Sequence, residues 1–386
     1  MKRSVNEKVR LYAPGPTDVE FDFMNTDRKI LHHRDSEFKP VFKSISEKFN
    51  RLIGNKTGGL AIINGSGTAG MDMIVNSCAD RTGKNIIFSG GTFGRRWKKI
   101  FEGYGIKSEF HDFSMTDPVT ADKVKELTDK NDYRFAFLTH TETSSGLRLK
   151  VDEISKVLRK KGIKVVVDCV ASIGADKFKM EDWGVSLMTT ATQKGLNLPP
   201  GLGIVGYSNE IKDMVMKEES RGFFLDLKSY ITWYDKESTP YTPAVSLLYG
   251  LEKRLDQIFE YGEDAWHAKR LVIADLLRMG LEELGLKINH SASPANGVTV
   301  VFLPEGIKPA YFKEEVRKKY FIFFAGGRDE LQETTFRIGH FHPFDVEDVF
   351  YCINAIGSVL SGMKQGINTG SALSKVSEKV KDLRRG

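Results

Sequence analysis

Six short apolar runs between residues 60 and 207 limit the fold of this chain more than any other feature. Several of them are apolar throughout and do not alternate with polar residues, which is typical of strands buried on both faces of a parallel sheet. The runs are LAIIN (60–64), NIIF (85–88), FAFLTH (135–140), VVVDCV (165–170), LMTTAT (187–192) and LGIVGY (202–207). Because stretches with helical spacing separate them, we predict a doubly wound, mostly parallel α/β domain.

The remaining sequence predicts a second, smaller α+β domain. Two long helical stretches, about 244–260 and 263–285, follow without an intervening strand. Three short strands, VTVVFL (298–303), FIFFA (321–325) and TFRIG (335–339), then mix with helices. At roughly 150 residues per domain, 386 residues are enough for two such domains.

Charge and cysteine content exclude several functional classes. Lys plus Arg is 57 and Asp plus Glu is 51, so the net charge of +6 is too diffuse to indicate a nucleic-acid partner, although it suits an anionic small ligand. Cys78, Cys169 and Cys352 form no CxxC pair, which argues against a metal site or a disulfide framework and predicts a cytoplasmic protein. No apolar run approaches the roughly 20 residues of a membrane span.

Polar residues follow the apolar runs, at the sheet edge where α/β proteins bind ligands. The segment NGSGTAG (64–70) follows a strand and opens a helix, so its glycines and free N–H groups could hold a phosphate. It also matches the GxGxxG pattern of nicotinamide-binding proteins, but the next strand ends in SGG (89–91) and lacks the acid that would bind a ribose. A tight turn without a ligand remains the alternative.

Four further side chains could carry chemistry, each with an ordinary structural alternative. Asp168 ends a strongly apolar strand and needs a cationic or donor partner there, unless it only caps a helix. Lys194, just past another strand, could be an amine tuned for Schiff-base chemistry or a surface lysine. Phe93 could stack on a planar ring or belong to the core. Arg337 could bind a substrate carboxylate or form an interdomain salt bridge.

Together these features describe the requirements of one cofactor, pyridoxal 5'-phosphate. Its phosphate needs a binding site such as the segment 64–70, which we call the phosphate cup. Its ring needs an aromatic neighbour, its ring nitrogen needs an acidic partner and its aldehyde needs a lysine. The cofactor carries the chemistry, whereas the protein orients and tunes it.

The chain also resembles a known family, the class V, fold type I pyridoxal-phosphate aminotransferases, close to the alanine–glyoxylate and serine–pyruvate aminotransferases. The resemblance runs from APGPT (13–17) to RIGHFH (337–342) and includes the 26-residue spacing from Asp168 to Lys194. Further matching stretches are NGSGTAGMD (64–72), GTFGRRW (91–97), THTETSSG (139–146), VVDCVASIGA (167–176), TQKGLNLPPGLG (192–203) and TPAVSLLYGL (242–251).

This resemblance implies roles for individual residues. Lys194 and Asp168 would be catalytic, with Lys194 bonded to the cofactor and Asp168 paired with its ring nitrogen. The remaining cofactor contacts would come from Ser66, Gly67, Thr68, Phe93, Thr143, Gln193 and, across a homodimer interface, Thr242. Arg337 would bind the substrate α-carboxylate, and the backbone from Ala13 to Gly15 would close over the substrate. One departure is Thr239, where relatives place an aromatic residue, which puts the contact from Thr242 in doubt.

The sequence pattern and this resemblance together divide the chain into four parts. These are an N-terminal segment closing over the active site (1–20), a large cofactor-binding α/β domain (21–260), a small α+β domain (261–362) and a basic tail joined by Gly and Ser residues (363–386). We expect the tail to be solvated and mobile.

The expected activity is a ping-pong transamination from a small L-amino acid, alanine or serine, to glyoxylate or pyruvate. Aspartate, phosphoserine or 2-aminoethylphosphonate are alternative donors, for which Arg34, Arg95, Arg96 and Arg221 could bind a second anionic group. A lyase is less expected, because the stretch FFAGGRDELQETT (323–335) has no cysteine. A non-catalytic binding protein and a nucleotide-dependent oxidoreductase are the remaining alternatives; no metal, membrane or nucleic-acid partner is expected.

Overall fold

The protein is described by a computed structural model that covers residues 9–20, 28–289 and 293–384. Its strands are β1 Arg10–Tyr12, β2 Gly59–Gly65, β3 Asn85–Ser89, β4 Glu109–Asp112, β5 Phe135–Thr139, β6 Thr141–Glu142, β7 Leu147–Arg148, β8 Lys164–Asp168, β9 Val185–Ala191, β10 Gly201–Tyr207, β11 Lys287–Ile288, β12 Val298–Phe302, β13 Ile322–Gly326 and β14 Thr335–Gly339. Its helices are α1 Phe38–Ile53, α2 Gly67–Cys78, α3 Gly94–Gly103, α4 Ala121–Thr128, α5 Val151–Lys160, α6 Met180–Trp183, α7 Asn209–Lys217, α8 Leu227–Tyr234, α9 Val245–Tyr261, α10 Glu263–Glu283, α11 Pro309–Tyr320, α12 Val346–Ser361 and α13 Thr369–Leu383.

The large sheet has seven strands in the order β2-β10-β9-β8-β5-β3-β4. Strand β10 is antiparallel to both of its neighbours, whereas the pairs from β9 to β4 are parallel. Two apolar clusters cover its faces, one containing α1 and α9 and the other containing α2 and α3. All six apolar runs are strands of this sheet, so the predicted mostly parallel α/β fold is confirmed.

The small sheet has five strands in the order β1-β13-β14-β12-β11. Strand β1 comes from the N-terminal segment and pairs in parallel with β13, so this segment is built into the small sheet before it reaches the large one. Helices α10, α11 and α12 supply the apolar side chains of its core. The carboxyl end of β8 and the ends of β13 and β14 then lie close to each other, as the site geometry below shows.

The C-terminal segment differs from the expectation of a solvated tail over 363–386. Residues 369–383 form the helix α13, which packs against α10 and α12. Ala372 and Val376 are fully buried in the core of the small sheet, one helical turn apart. This expectation is therefore wrong for the described helix, because its sparse apolar residues fall on one face while the lysines lie on the other.

The segment between α7 and α9 is aromatic and contains one helix, α8. The Asp226 carboxylate accepts the backbone N–H of Ser229 at the start of this helix. Within the described parts of the chain, none of the helices combines the length and apolar character needed to cross a bilayer.

Candidate active site

A cavity of about 230 Å³ opens at the carboxyl ends of the large-sheet strands, between the two sheets. The residues that line it come from both the large sheet and the segment after β13. They are Gly15, Ser66, Gly67, Thr68, Phe93, Arg96, Thr141, Thr143, Asp168, Val170, Ala171, Gln193, Lys194 and Arg328. The structure thus brings most of the sequence-predicted site residues to one place.

Lys194 extends into this cavity from the turn after β9 and is only 9% exposed. Its Nζ donates a hydrogen bond to the carbonyl oxygen of Pro14. Burial, followed by the positive charge of Arg337, lowers the pKa of the Lys194 amine to about 8. A larger fraction of this amine is therefore neutral at physiological pH than for a lysine in water, as a nucleophile or base requires.

Gly15 explains how the N-terminal segment reaches the lysine. Its backbone has φ +102°, and a Cβ at this position would lie 2.5 Å from Cδ and 2.7 Å from Cε of Lys194. The positive φ favours glycine here, and any larger residue would also displace the Lys194 side chain. Ala13 is buried but does not line the cavity, so of the two predicted positions only Gly15 borders it.

Asp168, the last residue of β8, is 4% exposed and lines the same cavity as Lys194. Its Oδ1 accepts the backbone N–H of Val170 at 2.9 Å. Burial is the main reason why the pKa of the Asp168 carboxyl is raised to about 6, and the nearby negative charge of Glu142 acts in the same direction. A cation next to Asp168 would stabilise the ionised carboxylate and lower its pKa again, so the position suits a protonated ring nitrogen.

The predicted phosphate cup stands at the start of α2. A Cβ on Gly67 would lie 2.2 Å from Cγ2 of Val170, so only glycine lets this helix begin so close to the end of β8. The Ser66 side chain makes no capping hydrogen bond with its own helix. Thr68 Oγ1 accepts a hydrogen bond from Nη1 of Arg96 at 2.8 Å, which brings a cation to the cup.

Two buried polar atoms at the cavity are unpaired within the described parts of the chain. Among the described residues, neither Oγ1 of Thr143 nor Oε1 of Gln193 has a hydrogen-bond partner, although both atoms are buried. Buried polar groups are normally paired, so unpartnered ones at a ligand cavity indicate that a ligand supplies the partners. The donor and acceptor groups of the cavity therefore fit a phosphorylated heterocycle.

Phe93 is placed by a carboxylate that the sequence analysis did not assign. Phe93 precedes α3, and the Glu142 carboxylate accepts the backbone N–H groups of Phe93 and Gly94, each at 3.0 Å. Glu142 is 5% exposed and also accepts from the backbone and hydroxyl of Ser144. It therefore fixes the first turn of α3, and with it the ring that borders the cavity.

Arg337 lies in β14 and is buried beside the cavity. Its Nε donates to the carbonyl of Gly326 at 2.7 Å and its Nη1 to the carbonyl of Thr143 at 3.0 Å. Burial lowers the pKa of its guanidinium to about 10, with the positive charge of Arg328 as the next cause. The guanidinium contacts backbone carbonyls, and no carboxylate among the described residues forms the alternative salt bridge with it.

Thr242 is the one predicted cofactor contact that the structure keeps outside this cavity. It is exposed, and its carbonyl accepts a hydrogen bond from Asn64 Nδ2 at 2.7 Å. Asn64 precedes the phosphate cup, so Thr242 lies near the cup without lining the cavity of its own chain. Tyr241 turns away, with its hydroxyl donating to the carbonyl of Phe223.

Sequence reasoning missed Arg328, and it named Arg96 only as a possible partner of a second anionic substrate group. Arg96 has a local signal, since it follows Phe93 by three residues and the start of a helix places these side chains on one face. Its guanidinium carbon lies 4.8 Å from the centroid of the Phe93 ring. Arg328 has no comparable signal, because its approach to the cavity depends on how the two sheets pack.

Comparison with known proteins agrees with this geometry. Residues 22–331 match the family described as Aminotransferase class-V. An uncharacterized aminotransferase of Methanocaldococcus jannaschii is 32% identical, over 86% of this chain and 88% of that protein. The serine–glyoxylate aminotransferase of Hyphomicrobium methylovorum is 28% identical, over 94% of this chain and 93% of that protein.

Similarity to solved structures extends over the same length. The crystal structure of the ureidoglycine–glyoxylate aminotransferase of Bacillus subtilis superimposes with a TM-score of 0.91, covering 98% of this chain and all of that chain at 22% identity. The whole fold is thus shared, including the small sheet. The chain belongs to the class V aminotransferases, the pyridoxal-phosphate-dependent transaminases of fold type I.

Proposed function

We propose that this transaminase moves an amino group from a small L-amino acid, alanine or serine, to glyoxylate or pyruvate in two half-reactions. The observation that carries the proposal is that Lys194 and Asp168 line one cavity of about 230 Å³, with Arg337 beside it. A cavity of this size leaves little room for a long substrate side chain once a cofactor occupies it. The similarity to a serine–glyoxylate aminotransferase supports the same choice.

The residues that would hold the cofactor follow from their positions. Ser66, Thr68 and Gln193 offer hydrogen-bonding groups to its phosphate, and Arg96 adds a positive charge. At the other end, Asp168 would hold a proton on the ring nitrogen, because a buried carboxylate gains most from a cationic neighbour. When bound, pyridoxal phosphate supplies the electron sink that stabilises negative charge at the substrate α-carbon.

Phe93 and Thr143 would fix the orientation of the ring. The Phe93 ring borders the cavity at a position set by Glu142, and an aromatic face stacks favourably on another planar ring. The unpartnered hydroxyl of Thr143 would bind the ring hydroxyl group. Together these contacts would restrict the rotation of the heterocycle within the cavity that Lys194 also lines.

Lys194 would act as both nucleophile and base. Its neutral Nζ accepts the proton that leaves the substrate α-carbon and returns it later in the half-reaction. The carbonyl of Pro14 holds the Nζ when the lysine is otherwise free. Arg337, whose charge already acts on the Lys194 amine, would bind the α-carboxylate and thereby place the Cα–H bond near this base.

We also propose that two chains form a homodimer and share their active sites, with Thr242 contacting the cofactor phosphate of the partner. Phe223 is 81% exposed and Phe224 41% exposed, and both rings pack next to Tyr241, just before Thr242. A contiguous exposed apolar patch is typical of a protein interface. Light scattering should give the mass of a dimer, and Phe223→Asp should shift it toward the monomer; a wild-type monomer would contradict the proposal.

The cytoplasmic location stays a prediction. The described structure is compatible with it, because Cys78, Cys169 and Cys352 are all buried as free thiols. A reducing compartment preserves free thiols.

A panel of donors and acceptors tests the substrate proposal. Alanine, serine, aspartate, phosphoserine and 2-aminoethylphosphonate are each paired with pyruvate, glyoxylate and 2-oxoglutarate, and keto-acid formation is measured. We expect alanine or serine with glyoxylate or pyruvate to have the highest kcat/KM, and Lys194→Ala to abolish it. The surface variant Lys212→Ala serves as the control. A panel in which neither alanine nor serine reacts would overturn the proposal.

A further inference from the structure

Arg328 is a cation at the active-site cavity to which the proposed chemistry gives no role. It follows the paired glycines Gly326 and Gly327 at the end of β13 and lines the cavity opposite the large sheet. Its guanidinium carbon lies 5.9 Å from the centroid of the Phe93 ring. Within the described ranges, its side chain has no ion pair or hydrogen bond, and it is exposed to solvent.

The segment that carries Arg328 is held firmly against the large sheet. Oγ1 of Thr92 donates to Oδ2 of Asp329 at 2.6 Å. Arg95 bonds to the same Asp329 oxygen at 2.9 Å and to Oε1 of Glu330 at 2.5 Å. The two residues after Arg328 are therefore tied to the start of α3, and Arg328 itself is left facing the cavity.

Arg337 belongs to the same corner of the cavity. Its Nε bonds to the carbonyl of Gly326, two residues before Arg328, so the backbone of one turn connects the two arginines. The charge of Arg328 is felt at Arg337, where it lowers the pKa in addition to the effect of burial. Arg328 lines the cavity, and Arg337 lies beside it through its bond to the carbonyl of Thr143, so this corner favours a ligand that carries two negative groups.

The other arginines considered for a second anionic group are committed elsewhere. Arg95 binds Asp112, Asp329 and Glu330. Arg34 donates to Ser238 and to the carbonyls of residues 239 and 240, and Arg221 pairs with Glu218. Arg96 bonds to Thr68 at the phosphate cup. The expectation that Arg34, Arg95 or Arg221 binds a second anionic substrate group is not supported, because their guanidinium groups already bind other groups of the protein.

We propose that Arg328 binds the distal anionic group of an amino acid whose α-carboxylate is held by Arg337. This site extends the substrate range from alanine and serine to donors with a short acidic side chain, of the length of aspartate, and to the matching 2-oxo acids. The inference rests on the proposed function, since it uses Arg337 as the α-carboxylate site. A guanidinium suits the purpose because its planar fork binds carboxylate and phosphate groups through paired hydrogen bonds.

Ligand binding without turnover tests the inference independently of catalysis. Titration calorimetry of the cofactor-loaded enzyme compares succinate, which has two carboxylates, with propionate, which has one. We expect Arg328→Gln to weaken succinate binding at least about tenfold more than propionate binding. Arg328→Lys should retain part of the preference for succinate. Arg317→Gln, a variant of an exposed arginine on α11, should behave as wild type.

Half-reaction rates provide the second measurement. The ratio of kcat/KM for aspartate to that for alanine should fall at least about tenfold in Arg328→Gln and stay unchanged in Arg317→Gln. Phosphoserine is included beside aspartate, and a larger loss for either donor identifies whether a phosphate or a carboxylate is the preferred distal group. An unchanged ratio together with unchanged succinate affinity in Arg328→Gln would overturn the inference. A wild type that transaminates no donor would instead refute the proposed function. The succinate titration measures binding alone and therefore gives a result even without turnover.

Discussion

The Nζ of Lys194 lies 5.5 Å from the centroid of the Phe93 ring. The two side chains come from turns 101 positions apart in the sequence, and each is fixed by its own partner. Lys194 is held by the carbonyl of Pro14, and Phe93 by the carboxylate of Glu142. The distance between an amine and an aromatic face in this cavity is therefore determined by the fold before any ligand binds.

Asp168 should affect stability and activity in opposite directions. Because burial raises its carboxyl pKa to about 6, the carboxyl is ionised at neutral pH in the cofactor-free protein, and burying this charge costs stability relative to the unfolded chain. We expect Asp168→Asn to raise the unfolding free energy of the cofactor-free protein by about 1–3 kcal/mol at neutral pH, measured by urea denaturation. The same variant should lower kcat/KM for the amino donor by about a hundredfold or more, because an amide cannot stabilise a ring proton as a carboxylate does. An Asp168→Asn variant that loses unfolding free energy as well as kcat/KM would contradict this role.

Glu142 should be required for the position of Phe93. Glu142→Ala removes the acceptor for two backbone N–H groups at the start of α3, and we expect it to cost about 2–4 kcal/mol of unfolding free energy. Cofactor affinity should fall as well, since the Phe93 ring loses its support. The control is Glu102→Ala, an exposed carboxylate near the end of the same helix, which should change the unfolding free energy by about 0.5 kcal/mol or less. If both variants changed the unfolding free energy and the cofactor affinity equally, Glu142 would not be the residue that positions Phe93.

The depressed pKa of Lys194 predicts a pH-dependent stability. The folded-state pKa is about 8 and the ordinary value is 10.5, so folding disfavours the charged amine. The cost is fully present below about pH 8 and is relieved as the pH rises toward the ordinary pKa of the unfolded chain. In the cofactor-free protein, the unfolding free energy of wild type minus that of Lys194→Met should therefore increase by about 2–3 kcal/mol between about pH 7 and pH 10. A difference that stays constant with pH would show that the amine is not desolvated.

The helix α13 should contribute to the stability of the small domain. Val376→Asp places a charge in the core formed with α10 and α12, and we expect a loss of at least about 3 kcal/mol in denaturant unfolding. Lys379→Asp, on the exposed face of the same helix, should change stability by about 0.5 kcal/mol or less. If both variants behaved alike, the segment would be the solvated tail that its composition suggests.

The sequence predicts the large sheet well because its strands carry their own signal. Apolar runs such as those ending at Asp168 and before Lys194 are local patterns, and their order along the chain implies one edge where ligand groups gather. The helix α13 lacks such a signal. Glycine and serine around residues 362–374 suggest a linker, and the buried Ala372 and Val376 become meaningful only once α10 and α12 are beside them.

The site shows the same division between local and non-local information. Lys194 and Asp168 can be recognised in the sequence because charged side chains are rarely buried, and both follow buried strands. Glu142 and Arg328 do not stand out, since their functions come from contacts with α3 and with the cavity across the two sheets. Reasoning from sequence therefore finds the groups that carry chemistry more readily than those that position them.

The most direct test of the account is to trap the bound cofactor on the protein. Pyridoxal-phosphate-loaded enzyme is reduced with borohydride, digested, and analysed by peptide mass spectrometry. We expect a phosphopyridoxyl group on the peptide containing Lys194, and no such modification at any site in Lys194→Ala. Stoichiometric labelling of a different lysine, with Lys194 unmodified, would contradict it.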